Sequence, residues 1–175
     1  MAAPLILRRG RPADVTAIRA LTAAYVDQRR IVRRWPVEFY ESVQEFEVAF
    51  NEGQLVGCGA LHIMWEDLAE IRTMAVDPAF HGLGVGHQIL TGLLRRARDL
   101  GLKRVFCLTF EVEFFARHGF RPITGTPVSP AVYQEMLRSH DVGVAEFLDL
   151  ARVKPNTLGN TRMLLEIVPD SKLCP

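Results

Sequence analysis

The chain has 175 residues, of which 49% are hydrophobic and 23% charged, and its formal net charge is +1. That length supports one compact domain with a sizeable core, and the composition is that of an ordinary globular protein. The near-neutral balance argues against a general nucleic-acid coat, which requires a strongly basic surface.

No apolar run is long enough to span a bilayer. Met1 to Gly10 places its apolar residues before its arginines, the reverse of a secretory signal. The three cysteines, Cys58, Cys107 and Cys174, form no C-x-x-C pair and are odd in number. This pattern opposes a disulfide framework or a zinc site and fits a reducing cytoplasm. Cys58 and Cys107 lie in apolar, strand-like runs and read as small buried hydrophobes.

In chain order, Leu5-Ile6-Leu7 reads as a strand. A helix follows, opened by Pro12 with Asp14 in its first turn, and Val15, Ile18, Leu21, Tyr25 and Val26 mark one face. Arg29, Arg30, Arg33 and Arg34 form a basic loop, and Pro36 opens a short helix through Val43. Phe46 to Phe50 alternates as a half-buried strand. A turn at 51–54 leads into a second arm, Leu55 to Trp65, and a further strand runs from Ala69 to Val76 and stops at Asp77-Pro78. Neighbouring strands in this succession point to an antiparallel meander.

Beyond Gly86, apolar residues recur at helical spacing from Ile89 to Leu100, and Gly101 stands where a helix C-cap belongs. Arg104 to Phe110 is strand-like, Glu111 to His118 is a short helix, and Phe120 to Ile123 starts another strand. Thr124 to Lys154 reads as helical, with turn residues at Pro127, Ser129-Pro130 and Asp141. Asn156 to Asn160 is a polar turn, and Met163 to Val168 is a closing strand. The fold class is α+β: a single domain over residues 1–168, with a frayed tail at 169–175.

The centre of the pattern is the turn His81-Gly82-Leu83-Gly84-Val85-Gly86, between a strand and a helix. Glycines allow backbone N–H groups to approach a ligand, and a helix N-terminus adds donors and partial positive charge. Together they suit a pyrophosphate. A P-loop needs Gly-Lys-Ser/Thr, whereas Gly86 is followed by His87 and Gln88. A dinucleotide fingerprint needs glycine or alanine where His87 stands. Coenzyme A is the remaining candidate, since His81-x-x-Gly84-x-Gly86 matches the turn Arg/Gln-x-x-Gly-x-Gly/Ala except at its first residue.

With Ile71 to Pro78, that turn, and Phe114-Phe115-Ala116-Arg117-His118-Gly119-Phe120, the chain resembles the GNAT acetyltransferases over roughly residues 5–123. The resemblance implies a central, mostly antiparallel mixed sheet of about six to seven strands, flanked by helices and splayed in a V between the central strands. Within that superfamily the chain is similar to the short N-acetylglutamate synthases that lack an amino-acid-kinase domain. The similarity rests on Glu70 to Val76, Arg104 to Thr109, Phe114 to Phe120 and the run from Val142 to Arg162. Many GNAT enzymes carry a tyrosine where Phe115 stands, as the acid that protonates the leaving thiolate. The synthases carry phenylalanine there too.

The resemblance implies acetyl transfer from acetyl-CoA to the α-amine of L-glutamate or L-glutamine, the entry step of arginine biosynthesis, with no metal. Glu70 matches the acid assigned as general base, and Thr109 a hydroxyl that serves the departing thiolate. The backbone of Met74, Ala75 and Val76 is expected to meet the pantetheine arm, with an N–H near Met74 as oxyanion donor. His81, Gly82, Leu83, Gly84, Val85, Gly86 and His87 are expected to hold the pyrophosphate.

For a substrate with two carboxylates, arginine forks are suited donors. Arg34 aligns with a basic substrate position of the synthases; Arg33, Arg72, Thr73 and Lys154 are the further candidates. Arg72 sits inside a strand, so it is expected to have an acidic partner or a ligand. Arg95, Arg96, Arg98, Lys103 and Arg104 read as a solvated basic face, with the 3′-phosphate of CoA as the functional alternative. Arginine is a candidate feedback effector and a homodimer a candidate assembly, with no nucleic acid or membrane partner. Two other readings stay open: acetylation of a different amine, such as a protein N-terminus or an aminoglycoside, and a CoA-sensing module without turnover.

Overall fold

The computed structural model describes residues 4–168, so the tail at 169–175 and Cys174 lie outside the described residues. The strands are β1 (Ile6–Arg9), β2 (Phe46–Asn51), β3 (Gln54–Trp65), β4 (Leu68–Val76), β5 (Arg104–Thr109), β6 (Arg121–Pro122) and β7 (Thr161–Glu166). The helices are α1 (Val15–Asp27), α2 (Pro36–Glu41), α3 (Val85–Asp99), α4 (Val112–Ala116), α5 (Pro130–Met136), α6 (Val142–Phe147) and α7 (Lys154–Thr157). The strands hydrogen-bond in the order β1-β2-β3-β4-β5-β7-β6. Strands β4 and β5 are parallel, while β1–β2, β2–β3, β5–β7 and β6–β7 are antiparallel. The fold is therefore the α+β arrangement expected, a mixed sheet with helices.

The chain divides into two compact units: the chain up to His62 with Ile71–Gly101, and Ile63–Glu70 with the chain from Leu102 onward. In the first unit, Val15 and Ile18 of α1, Phe39 of α2 and Phe46, Val48, Leu55, Cys58, Ala60 and Ala75 of the strands form one buried cluster. Leu21 and Tyr25 pack against it, as their spacing predicts. Helix α3 buries Val85, Ile89, Leu90, Leu93, Leu94 and Ala97, a full apolar stripe. Its first turn lies tightly on β3: a Cβ at Gly57 would meet Ile89 at 2.7 Å and Val85 at 2.8 Å. That fit fixes where the N-terminus of α3 sits.

In the second unit, Leu68, Phe106, Met136, Val144, Phe147, Leu148 and Leu164 form the core, with Phe106 and Phe147 edge to face at 5.3 Å. The segment 124–154 is not one helical stretch. It breaks into α5, α6 and a 3₁₀ turn at Ala151–Val153. Both helices have a side-chain cap: the Ser129 hydroxyl accepts from Val132 N at 3.3 Å, and the Asp141 carboxylate from Val144 N at 3.0 Å. The polar turn expected at Asn156–Asn160 opens instead as α7, because Pro155 carries helical φ at a helix start, where its missing N–H costs nothing. The closing strand begins at Thr161, two residues ahead of expectation, because Thr161 pairs with Thr109.

Arg8 and Asp14 tie β1 to the start of α1. The guanidinium donates to the carboxylate at 2.7 and 2.8 Å, and Arg11 N donates to it at 2.7 Å. The Arg8 hydrogen bond holds the buried Asp14 carboxyl below its usual value, against the opposing effect of burial. A lowered folded-state value contributes stability that is complete above the unfolded carboxyl's pKa of about 4 and is lost as pH falls below it. Asp14→Asn should therefore lower stability at pH 7 by about 1 kcal/mol, the size of a lost cap bond. It should also reduce the loss seen in wild type from pH 5 to pH 3, read by urea unfolding at several pH values.

Candidate active site

Strand β4 holds the candidate base, Glu70, and the candidate backbone positions Met74, Ala75 and Val76. Leu68, Ala69, Glu70 and Ile71 are buried in succession, the pattern of a strand covered on both faces. Glu70 pairs with Phe106 of β5 and is only 3% exposed. It is thus not the solvated strand-end carboxylate that its position near the start of the strand would allow. Its charge is felt on β5, where burial first, and the Glu70 carboxylate second, raise the Cys107 thiol well above its ordinary value.

Thr109 closes the same strand β5. It is 7% exposed, and its hydroxyl accepts from Glu111 N at 2.8 Å. Accepting there leaves the hydroxyl proton to be donated elsewhere. Phe115 is buried, edge to face with both Phe114 and Phe120 at 5.2 Å, so it is a packing residue.

Three residues beyond Glu70, Thr73 adopts φ +56° inside the strand. A β-branched residue in the left-handed region is strained, and such strain persists only where its surroundings impose it. The Cys58 thiol lies 3.6 Å from the Thr73 carbonyl. Burial pushes that thiol up to about 12, so it serves as a neutral hydrogen-bond donor. The break in regular pleat falls immediately before Met74. Ala75 is in the core, so only its backbone can meet a ligand. The Val76 carbonyl accepts from the Tyr25 hydroxyl at 2.5 Å and lies 3.0 Å from His81 Nε2.

The glycine turn has the geometry its sequence suggests. Gly82 and Gly84 have φ of +77° and +81°, and a Cβ at either would meet nothing within 4 Å. Gly84 is the residue that enters α3, and the first turn of α3 contains no acidic residue. Left-handed glycines followed by a 15-residue helix aim backbone donors at open space. Val85 is buried and offers only its amide, whereas His81, Gly82, Leu83 and His87 are exposed. His81 is held by Tyr25, 3.0 Å from its hydroxyl, a contact the sequence did not point to.

The basic candidates separate by partner. Arg33 is exposed. Arg34 is folded onto α2, donating to the Glu38 carbonyl at 3.3 Å and Ser42 Oγ at 3.1 Å, with its guanidinium over the Phe39 ring. Arg72 has the acidic partner expected: Glu45, at 3.4 Å, which also holds His62 at 2.8 Å. Lys154 pairs with Asp149. Within the basic face, Arg96 donates to the Glu45 carbonyl at 3.0 Å, and Arg104 grips Asp67 through two bonds of 3.1 Å. These two are therefore structural and not part of a solvated face. Among the described residues, no group of three or more His, Cys, Asp or Glu side chains could hold a metal ion, and no helix is long and apolar enough to cross a membrane.

The chain is similar to known proteins over most of its length. Residues 16–120 match the Acetyltransferase (GNAT) family. The chain belongs to the GNAT acetyltransferase family. It is accordingly an acyltransferase. It is 58% identical over 163 residues to an amino-acid acetyltransferase of Mycobacterium tuberculosis strain H37Rv, covering 91% of this chain and 93% of that protein. The crystal structure of Rv2747 from Mycobacterium tuberculosis in complex with CoA superposes with a TM-score of 0.90 at 57% identity, over 93% of this chain and 99% of the other. The N-acetylglutamate synthase of Neisseria gonorrhoeae, solved with coenzyme A and N-acetyl-glutamate, shares the fold at a TM-score of 0.75. Its identity is 22%, over 96% of this GNAT chain and 36% of that longer one.

Burial of both thiols predicts their reactivity. In the native enzyme neither Cys58 nor Cys107 should be alkylated by iodoacetamide at pH 8, and both should be in urea. Peptide mass spectrometry of the labelled protein checks this.

Proposed function

We propose that this enzyme transfers the acetyl group of acetyl-CoA to the α-amine of a free amino acid, L-glutamate or L-glutamine, by direct attack in a ternary complex. The observation that carries the reading is the buried carboxylate of Glu70 on β4, three residues ahead of the strained Thr73. The resemblance to proteins described as amino-acid acetyltransferase and N-acetylglutamate synthase supports the acceptor class.

An α-amine is protonated at pH 7 and must lose a proton before it can attack. Glu70 takes that proton, through a bridging water because its carboxylate is held inside the protein. The neutral nitrogen forms a bond to the thioester carbon while the carbonyl π electrons move onto oxygen. The Met74 N–H donates to this oxyanion, its direction set by the turn of the backbone at Thr73. Collapse re-forms the carbonyl and breaks the C–S bond. The thiolate leaves and takes the proton that the acylated, cationic nitrogen must lose, with the Thr109 hydroxyl as the relay. The glycine turn and the first amides of α3 hold the pyrophosphate, and the β4 backbone beyond Met74 aligns the pantetheine arm.

The acceptor's carboxylates are assigned to the basic set, Arg33 and Arg34 first. Arg33 is the exposed fork of the two, while Arg34 already spends part of its fork on α2. Arg72 and Lys154 are the weaker members, since Glu45 and Asp149 already engage them. The whole described chain acts as one catalytic domain in this reading, in a reducing cytoplasm and in arginine biosynthesis.

Thiol release from acetyl-CoA, measured against a panel of the twenty amino acids, tests the acceptor. Glutamate or glutamine should exceed the remaining members in kcat/KM. A flat panel with a faster aminoglycoside or peptide would overturn the amino-acid reading. Glu70→Gln should lower kcat by about 10²-fold or more, the scale of a general base, while acetyl-CoA binding by calorimetry stays near wild type. Unchanged turnover would remove Glu70 from the mechanism.

A further inference from the structure

Helix α6 is six residues long and contains Gly143 at its second position. Glycine is a poor helix former, and alanine would be better there on propensity alone. Nor does the backbone need glycine: Gly143 is not among the residues with positive φ. Its use is in the space it leaves. A Cβ at position 143 would stand 2.7 Å from Cδ of Glu70 and 3.0 Å from its Oε1, and closer still to Oε2. The Glu70 carboxylate therefore rests on the bare backbone of α6.

The helix cannot easily retreat to make room. Asp141 caps one end through the Val144 amide. At the other end, Arg162 of β7 donates from Nε to the Glu146 carbonyl at 3.1 Å and from Nη2 to the Phe147 carbonyl. The Glu146 side chain is buried and accepts from Asn156 Nδ2 at 3.2 Å. Val144 and Phe147 anchor the same helix in the core of the second unit. With the helix tied at both ends, any side chain at 143 has to displace the carboxylate, the far end of a flexible side chain, rather than the backbone.

We propose that Gly143 is a positioning residue for the general base: by lacking a side chain, it sets the orientation of the Glu70 carboxylate. The proposal rests on Glu70 being the base. Gly143 touches neither substrate in this scheme and acts only through Glu70. Misplacement of a catalytic group by about 1 Å can cost as much as 10²-fold in rate, so a displaced carboxylate should be visible in kcat.

The test is a double-mutant cycle with steady-state kinetics on wild type, Gly143→Ala, Glu70→Gln and the double variant. Gly143→Ala should lower kcat on the order of tenfold or more, leave the acetyl-CoA KM within about twofold, and shift the acid limb of the kcat/KM pH profile. In the Glu70→Gln background the same glycine change should cost nothing further, because the carboxamide keeps the crowding but there is no base left to misplace. If Gly143→Ala lowers turnover equally in both backgrounds, its effect is structural and the proposal fails. If Glu70→Gln is impaired while Gly143→Ala is not, positioning fails and the base assignment stands. If Glu70→Gln turns over like wild type, both fall.

Should Gly143→Ala not fold, Gly143→Ala with Glu70→Asp supplies the missing room, since aspartate is one methylene shorter. A soluble double variant that melts near Glu70→Asp supports the seat. One as unstable as Gly143→Ala alone would overturn it.

Discussion

A carboxylate held on a strand between Ala69 and Ile71 gives up its hydration, and burying an anion costs several kcal/mol unless the protein replaces what water supplied. A leucine at position 70 would incur no such cost. The second unit is arranged around that cost: β5 beside Glu70, the thiol of Cys107 under its field, and α6 stripped of a side chain where the carboxylate lies. Helix α6 in turn is kept in place by Asp141, Asn156 and Arg162. The run from Val142 to Arg162 thus has a physical purpose beyond filling the core. A perturbed environment of this kind is what proton transfer near neutral pH requires.

In the proposed scheme the first unit solves a different problem, the recognition of a polyanion without spending a charged side chain on it. Glycines at +77° and +81° let the backbone turn into α3, and an apolar stripe on α3 pressed against Gly57 fixes where the helix begins. In that scheme recognition by backbone amides tolerates the departure at His81, because the ring of His81 is taken up by Tyr25 and Val76 and its main chain is left to the ligand. The strain at Thr73 belongs to the same logic. A strand in regular pleat alternates its amides between neighbours, and a left-handed residue interrupts that alternation just where the proposed mechanism uses an amide for a developing oxyanion.

Much of this was legible in the sequence, and unevenly so. The α1 face, the α3 stripe, the glycine turn and the turn character of Ser129 and Asp141 were legible because each is set by local chemistry: periodicity of 3.6, positive φ, or a side chain returning to its own backbone. The extent of the helical region at 124–154 was not, since four turn-forming residues only show that breaks exist and packing decides how long each piece survives. Glu70 could be found through its likeness to the synthases, but its burial could not. The partners of the arginines were invisible as well. Glu45 is 27 residues from Arg72, and Asp67 is 37 from Arg104. Gly143 left only a faint signal, a glycine inside an apolar helical pattern with no turn to make.

By itself the sequence determined the order of elements, the left-handed glycines of the turn at 81–86 and membership of an acetyl-transferring superfamily, because these depend on residues close together along the chain. The tertiary structure decided which charges are engaged and which carboxylate is withdrawn from water. It placed Arg96, Arg104 and Arg72 in structural pairs and set Glu70 against Gly143 of α6, where the helix has no side chain. Electrostatic environment is a sum over neighbours in space, and those neighbours come from strands and helices that spacing along the chain cannot bring together.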